Sequence, residues 1–107
     1  MNKTELTRLA KSIKLPKGWI IQSVHPKTIR GKQIGPTDTI ILGCPIEERM
    51  SLSGSQLSRR IGSVVRQLNY FNVKRYQPRW SEFGGGFGGG KWYDIKLGVN
   101  YRRTKDN

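Results

Sequence analysis

The chain has 107 residues, of which 35% are hydrophobic, and its ten aromatic residues comprise three Trp, four Tyr and three Phe. This length and composition predict one folded domain with a single core and exclude a second domain of similar size. Twenty Lys and Arg against seven Asp and Glu give a formal net charge of +13, which indicates a polyanionic partner.

Three absences narrow the class of protein further. The sequence has no run of about 18 apolar residues, so no membrane-spanning helix is expected. Met1 to Thr7 is polar and lacks the apolar core of a signal peptide. A single cysteine allows no internal disulfide. We therefore expect a cytoplasmic protein without a membrane partner, and a nucleoid-associated, viral or plasmid context is compatible with this.

The first part of the chain predicts one helix and two strands. Thr4 to Ile13 has the apolar spacing of a short helix, with Thr4 as a candidate N-cap. Trp19 to His25 and Thr37 to Leu42 are rich in the branched residues that suit strands. Together they predict a hairpin-like strand pair covered by the helix.

A turn-rich loop separates the two predicted strands. It runs from Pro26 to Pro36, carries Lys27, Arg30 and Lys32, and contains no acidic side chain. Such a loop suits a second contact with phosphate, and an ordinary solvated loop explains it equally well.

The strongest periodic signal is a helix that begins after the serines at 51, 53 and 55, each a candidate N-cap. A helical turn from Pro45 to Met50 is predicted just before it. The apolar residues of the longer helix recur on one face and are Leu57, Ile61, Val64, Val65 and Leu68. The opposite side is basic and polar, without an acidic residue, and holds Gln56, Arg59, Ser63, Arg66 and Tyr70, flanked by Arg60 and Gln67. We predict that this helix packs with one face and binds an anion with the other.

A long antiparallel hairpin is predicted after the helix. Val73 to Phe83 forms its first strand, and the stretch from Trp92 to Tyr101 alternates like a half-buried second strand. The connection at 84–90 contains six glycines around Phe87, which predicts a flexible tip whose Phe87 orders against a partner. The basic tail at 102–107 is expected to be frayed.

The helix and hairpin together resemble a known family. Ser55-Gln-Leu-Ser-Arg-Arg-Ile-Gly-Ser-Val-Val-Arg-Gln-Leu68, followed by the hairpin, resembles the recognition helix and wing of a winged helix-turn-helix DNA-binding domain, over residues 45–101. The resemblance implies that the helix enters the major groove and that the wing touches the backbone or the minor groove. It places Gln56, Arg59, Arg60, Ser63 and Arg66 against DNA, and Arg75, Arg79 and Lys91 in the wing.

The hairpin also permits a different mode of binding. Its aromatic residues alternate with cations, as in a platform that stacks the bases of single-stranded DNA or RNA. The residues concerned are Trp80, Phe87, Trp92 and Tyr93, with Arg75, Arg79, Lys91 and Lys96. A third alternative is a protein partner, such as a ribosome or a nucleoprotein complex, or a protein that this chain would inhibit.

The sequence contains few residue patterns that are typical of enzymes. His25 and Cys44 are the only residues of their kinds, and no metal-ligand spacing or phosphate-binding GxxxxGK[ST] loop is present. We therefore expect no metal or other cofactor and no enzymatic activity. The remaining enzymatic alternative is a small basic ribonuclease with His25 or Glu82 as base and Arg79 stabilising charge.

The combined prediction is a small single-domain α+β protein over residues 1–107 that binds nucleic acid without catalysis. Duplex DNA is the favoured ligand, and single strands or RNA are the alternative. Assembly as a homodimer or in a larger nucleoprotein complex is compatible with the sequence.

Overall fold

The fold is described from a computed structural model for residues 1–76 and 91–101. Several sequence-predicted features lie outside these residues: the glycine-rich tip, Phe87, Arg79, Trp80, Glu82 and the tail at 102–107. In chain order the elements are α1 (Lys3–Lys11), β1 (Ile20–His25), β2 (Thr28–Ile29), β3 (Lys32–Gln33), β4 (Asp38–Pro45), α2 (Ile46–Ser51), α3 (Gly54–Arg66), β5 (Phe71–Tyr76) and β6 (Trp92–Tyr101).

The main sheet has four antiparallel strands in the order β1-β4-β6-β5. Ile40 in β4 lies opposite Val24 in β1 and Leu97 in β6, which fixes the register across the sheet. β2 and β3 form a separate two-stranded hairpin. The prediction of an α+β fold with short helices and a C-terminal antiparallel strand pair is therefore confirmed.

The core lies on one face of the main sheet. Ile40, Leu42 and Leu97 are fully buried there, and they share a cluster with Leu6 of α1 and Val64 of α3. Residues that alternate with them, such as Ile41 and Lys96, occupy the other face. Both longer helices therefore cover the same face of the sheet. Of the helices in the described residues, none is long and apolar enough to cross a membrane.

Side-chain caps set where the two longer helices begin. The Asn2 side chain accepts from Glu5 N–H at 2.8 Å, so Asn2 caps α1 and the expectation of a Thr4 cap is wrong. In α3 the cap is Ser53, whose hydroxyl accepts from Gln56 N–H at 3.2 Å while Gln56 Oε1 accepts from Ser53 N–H at 2.9 Å. This reciprocal arrangement satisfies two backbone donors and selects Ser53 among the three candidate serines.

Several predicted boundaries change in the structure, as β5 and the loop at 26–36 show. β5 begins at Phe71, earlier than the predicted Val73, and the predicted continuation beyond Tyr76 lies outside the described residues. The loop predicted at 26–36 contains the β2–β3 hairpin. Its short strands have no apolar alternation toward the core, which is why periodicity did not reveal them.

Candidate nucleic-acid interface

The outer face of α3 is exposed and basic. Its inner face buries Leu57, Ile61 and Val64, while Arg59 and Arg66 point to solvent. Arg59 and Arg66 are seven residues apart, or about 10 Å along the helix, and close to the same angular position. The prediction of one core face and one basic face is confirmed for α3, but the helix ends at Arg66, so Leu68 and Tyr70, which were predicted to belong to it, lie after its end.

A second element adds an arginine to this face. An ideal Cβ placed on Gly62 would lie 3.5 Å from Arg66 Nη1 and 3.6 Å from Arg75 Nη2. Arg75 Nη1 also donates to Ser58 Oγ at 3.2 Å. Ser58, Gly62 and Arg66 follow one another at four-residue intervals, so they form a row along α3 that faces β5. We call Ser58, Gly62, Arg66 and Arg75 the arginine cluster.

The register of the sheet directs Arg75 toward α3. Arg75 pairs with Leu97, which is fully buried on the helix-covered face. Directly opposed residues in antiparallel strands share a face. Because β5 is an edge strand of the sheet, the long Arg75 side chain emerges at the rim of the core and contacts the surface of α3. Gly62 leaves room for the two guanidinium groups to converge.

Within the described part of the chain, the arginine cluster has no carboxylate partner. Ion pairs elsewhere in this part of the chain include the Met1 amino group with Asp38 at 3.0 Å and Arg60 with Glu48 at 3.3 Å. Two guanidinium groups held close together repel each other until an anion lies between them. The geometry therefore suits a phosphate, which accepts hydrogen bonds from arginine in a bidentate manner.

Arg60 is bound within the protein. Its Nε lies 3.3 Å from Glu48 Oε1, and the other carboxylate oxygen accepts from Trp19 Nε1 at 3.3 Å. Glu48 therefore joins α2 to α3 and to the residue just before β1. The resemblance placed Arg60 against DNA; in the structure that contact would compete with an existing ion pair.

Two further residues of the predicted surface already have internal partners. Gln56 belongs to the N-cap of α3, and the Ser63 hydroxyl donates to Arg60 O at 2.7 Å. With respect to the residues that the structure describes, Arg59 and Arg66 are thus the α3 cations of the predicted set that remain available to an external anion.

The predicted stacking platform does not form a single surface in the described residues. Trp92 lies on the sheet face opposite the helices, where its Cε3 would be 3.1 Å from a Cβ on Gly43. Tyr93 is only 8% exposed and packs in the core, with the Arg49 guanidinium carbon 5.0 Å from its ring centroid. The inclusion of Tyr93 in the platform is therefore wrong, because successive strand residues point to opposite faces.

The other predicted contact residues are spread over the molecule. Lys27, Arg30 and Lys32 belong to the β2–β3 hairpin region, separate from the arginine cluster. Lys91 is exposed just before β6, and its carbonyl accepts from Ile46 N–H at 3.0 Å. The structure therefore brings together Arg66 and Arg75 from the predicted set and leaves the hairpin cations as a separate group.

The structure describes two of the residues considered for catalysis, His25 and Cys44, and places them at opposite ends of the β1–β4 strand pair. His25 Nε2 lies 2.9 Å from Ser23 Oγ at the exposed end of β1. Cys44 is buried, and burial, with a smaller contribution from Glu48, raises the pKa of its thiol to about 11. The described residues contain no group of three or more His, Cys, Asp or Glu that could hold a metal ion.

Sequence reasoning missed Ser58 and Gly62 as members of the cluster. The available signal was their spacing with Arg66, which places all three on one row of the helix. The approach of Arg75 had no local signal, because it depends on the pairing of β5 with β6. Comparisons with protein-family models, curated proteins and solved structures gave no match, so the interface is assigned from its own geometry and charge.

Proposed function

We propose that this protein binds duplex DNA, without catalysis, through the exposed face of α3 and the arginine cluster. The observation that carries the proposal is the convergence of Arg66 and Arg75 on Gly62 from two separate elements. Because no carboxylate in the described residues neutralises either side chain, the pair favours an anionic ligand. A formal charge of +13 would draw such a ligand toward the protein from a distance.

The proposed mode places α3 in the major groove, as in the winged-helix family that the sequence resembles. The groove is about 12 Å wide and admits one α-helix. Arg59 and Arg66 lie on the outward side of α3 and would meet bases or phosphates, while Arg75 approaches a phosphate from β5. Ser58 supplies a hydroxyl that holds Arg75 in place at 3.2 Å.

Single-stranded nucleic acid is the second candidate, and Trp92 is the observation that favours it. Trp92 is half-buried beside Gly43 and Ile20 on the sheet face opposite the helices. An aromatic ring in this position stacks on a base. With Tyr93 in the core, however, the described part of this face offers one aromatic ring for stacking, which makes it the weaker candidate.

The proposal is tested by fluorescence anisotropy with labelled random-sequence duplex DNA, single-stranded DNA and structured RNA across a salt series. We expect tightest binding to the duplex, with the logarithm of the affinity falling steeply against the logarithm of the salt concentration. Preference for single strands, with quenched tryptophan fluorescence and loss of binding in Trp92→Ala, would transfer the function to the sheet face opposite the helices. Absence of binding to all three probes would refute a nucleic-acid function.

A further inference from the structure

The β2–β3 hairpin presents an unusual surface for a short connection. Its two-residue turn consists of Arg30 at φ 52° and Gly31 at φ 80°. Positive φ at both central positions defines a type I′ turn, for which Asn-Gly is the favoured pair. A left-handed conformation disfavours arginine, so the backbone alone does not explain its presence at this position. The exposed Arg30 side chain is the feature that distinguishes the tip.

One face of the hairpin is both apolar and basic. Ile29 pairs directly with Lys32, so the two side chains lie on the same face. Alternation adds Lys27 and Ile34 to that face, and Ile29 and Ile34 are 48% and 60% exposed. The opposite face carries the uncharged polar residues Thr28 and Gln33.

The base of the hairpin is firmly held. Lys27 N–H donates to Asp38 Oδ1 at 2.8 Å, and Asp38 is only 2% exposed. Lys27 O accepts from Ile34 N–H at 2.6 Å and from Gly35 N–H at 3.2 Å. The protein therefore anchors the hairpin at β4 and projects its tip away from the core with a defined orientation.

We propose that this hairpin enters the minor groove of the duplex, with Arg30 reaching its floor. The inference rests on the proposed function, since it adds a second contact to the same duplex. A minor groove has apolar deoxyribose surfaces bordered by a row of phosphates on either side. Ile29 and Ile34 match the sugars, and Lys27 and Lys32 match the phosphates. Architectural proteins likewise place arginine in the minor groove, and they insert apolar side chains such as isoleucine between base steps there.

The charge and the small apolar area of the hairpin favour a DNA minor groove over an anionic lipid surface as its ligand. Residues 26–37 contain three cations and no acidic residue. Two isoleucines on a short hairpin offer little apolar area for insertion into a bilayer, where binding strength grows with the apolar area buried. A narrow minor groove, in contrast, attracts a single arginine through its concentrated negative potential.

The test uses two duplexes that differ only in the minor groove. Replacing guanine by inosine removes the N2 amino group from the minor groove and leaves the major-groove O6 and N7 acceptors in place. We expect the complete protein to bind the inosine duplex about fivefold or more tightly than the guanine duplex, as for the gain of one good base contact. Arg30→Asn should abolish this preference, because asparagine keeps the type I′ turn but lacks the guanidinium group.

Matched variants locate the contact on one face of the hairpin. Lys32→Gln should lower the slope of log affinity against log salt by about one. Thr28→Ala, on the opposite face, should change neither the slope nor the inosine preference. Circular dichroism of each variant confirms that the sheet is intact.

The outcomes separate this inference from the proposed function. If the protein binds both duplexes equally and Arg30→Asn has no effect, the minor-groove contact is refuted while duplex binding stands. If the protein binds no duplex, the proposed function fails and the hairpin contact fails with it. Binding to phosphatidylglycerol vesicles that is lost in Ile29→Ser, without any inosine preference, would overturn the inference in favour of lipid.

Discussion

The Gln67 side chain forms a two-point hydrogen bond with the backbone of Lys14. Gln67 Oε1 accepts from Lys14 N–H and Gln67 Nε2 donates to Lys14 O, both at 2.8 Å. Gln67 is the C-cap residue of α3, and Lys14 follows the end of α1. This contact joins the segment that follows α1 to the C-terminal end of α3 and helps to fix how the two helices meet over the sheet.

Replacement of Gln67 by Leu should lower the free energy of unfolding by about 1–2 kcal/mol, because Lys14 N–H and Lys14 O each lose their side-chain partner. Gln67→Glu should recover part of the loss, since a carboxylate can accept from Lys14 N–H but cannot donate to Lys14 O. Urea denaturation measures both variants. Asn69→Leu, at an exposed position nearby, is the control, and equal losses in Asn69→Leu and Gln67→Leu would contradict the assigned contact.

The double variant Arg59→Ala, Arg66→Ala should weaken duplex binding strongly and lower the salt slope by about two, one for each phosphate contact removed. Its stability should change by no more than about 0.5 kcal/mol, because both side chains are exposed. Anisotropy and a melting curve on the same sample check the two expectations. The control is Lys3→Ala, Arg8→Ala on α1, which removes the same charge from another face. An equal loss of affinity in the control would mean that net charge, and not the α3 face, governs binding.

A carboxylate placed inside the arginine cluster should block the site without unfolding the protein. In Gly62→Glu, the new side chain can pair with Arg66 one helical turn away and with Arg75, and loss of a helical glycine stabilises α3 by about 0.5–1 kcal/mol. Duplex affinity should fall well below that of Gly62→Gln, which has nearly the same shape but no charge. Equal affinities for the Glu and Gln variants would show that the anion does not bind at Gly62.

Because the thiol of Cys44 is buried, we expect the folded protein to lose stability at alkaline pH. Burial raises the pKa of its thiol to about 11. The unfolded chain releases this proton near pH 9, while the folded chain retains it, so the free energy of unfolding falls as pH rises from about 9 to about 11. The slope from this group approaches about 1.4 kcal/mol per pH unit. Urea midpoints measured at several pH values should fall less steeply in Cys44→Ala. Parallel pH dependence in the two proteins would contradict the shifted thiol pKa.

The periodic parts of the fold were predictable from sequence. Five apolar residues on one face predicted the helix that is now α3, and the alternation from Tyr93 to Val99 predicted β6. Both signals exist because an element that buries a single face has apolar residues at regular intervals in its sequence. Arg75 shows the limit of that method. Its contact with Ser58 depends on the register between β5 and β6, which no local pattern records. The same limit applies to the ion pair between Glu48 and Arg60, whose partners come from different helices.

The helix caps and the predicted stacking surface show two other limits of prediction from sequence. Asn2, Ser51, Ser53, Ser55 and Thr4 can all serve as caps chemically, and only the backbone path selects Asn2 and Ser53. Trp92 and Tyr93 are both aromatic and adjacent, so composition suggested one surface. The pleat of β6 separates them, and burial of Tyr93 removes it from any external contact.

The Glu48 carboxylate has a consequence for the energetics of association. By holding Trp19 Nε1 with one oxygen and Arg60 Nε with the other, it fixes α2 and α3 relative to the start of β1 before any ligand arrives. A preorganised helix loses little conformational entropy on complex formation. Glu48→Gln should therefore weaken the complex and broaden the NMR signals of α3 in the free protein, even though Glu48 itself bears the charge that a polyanion repels.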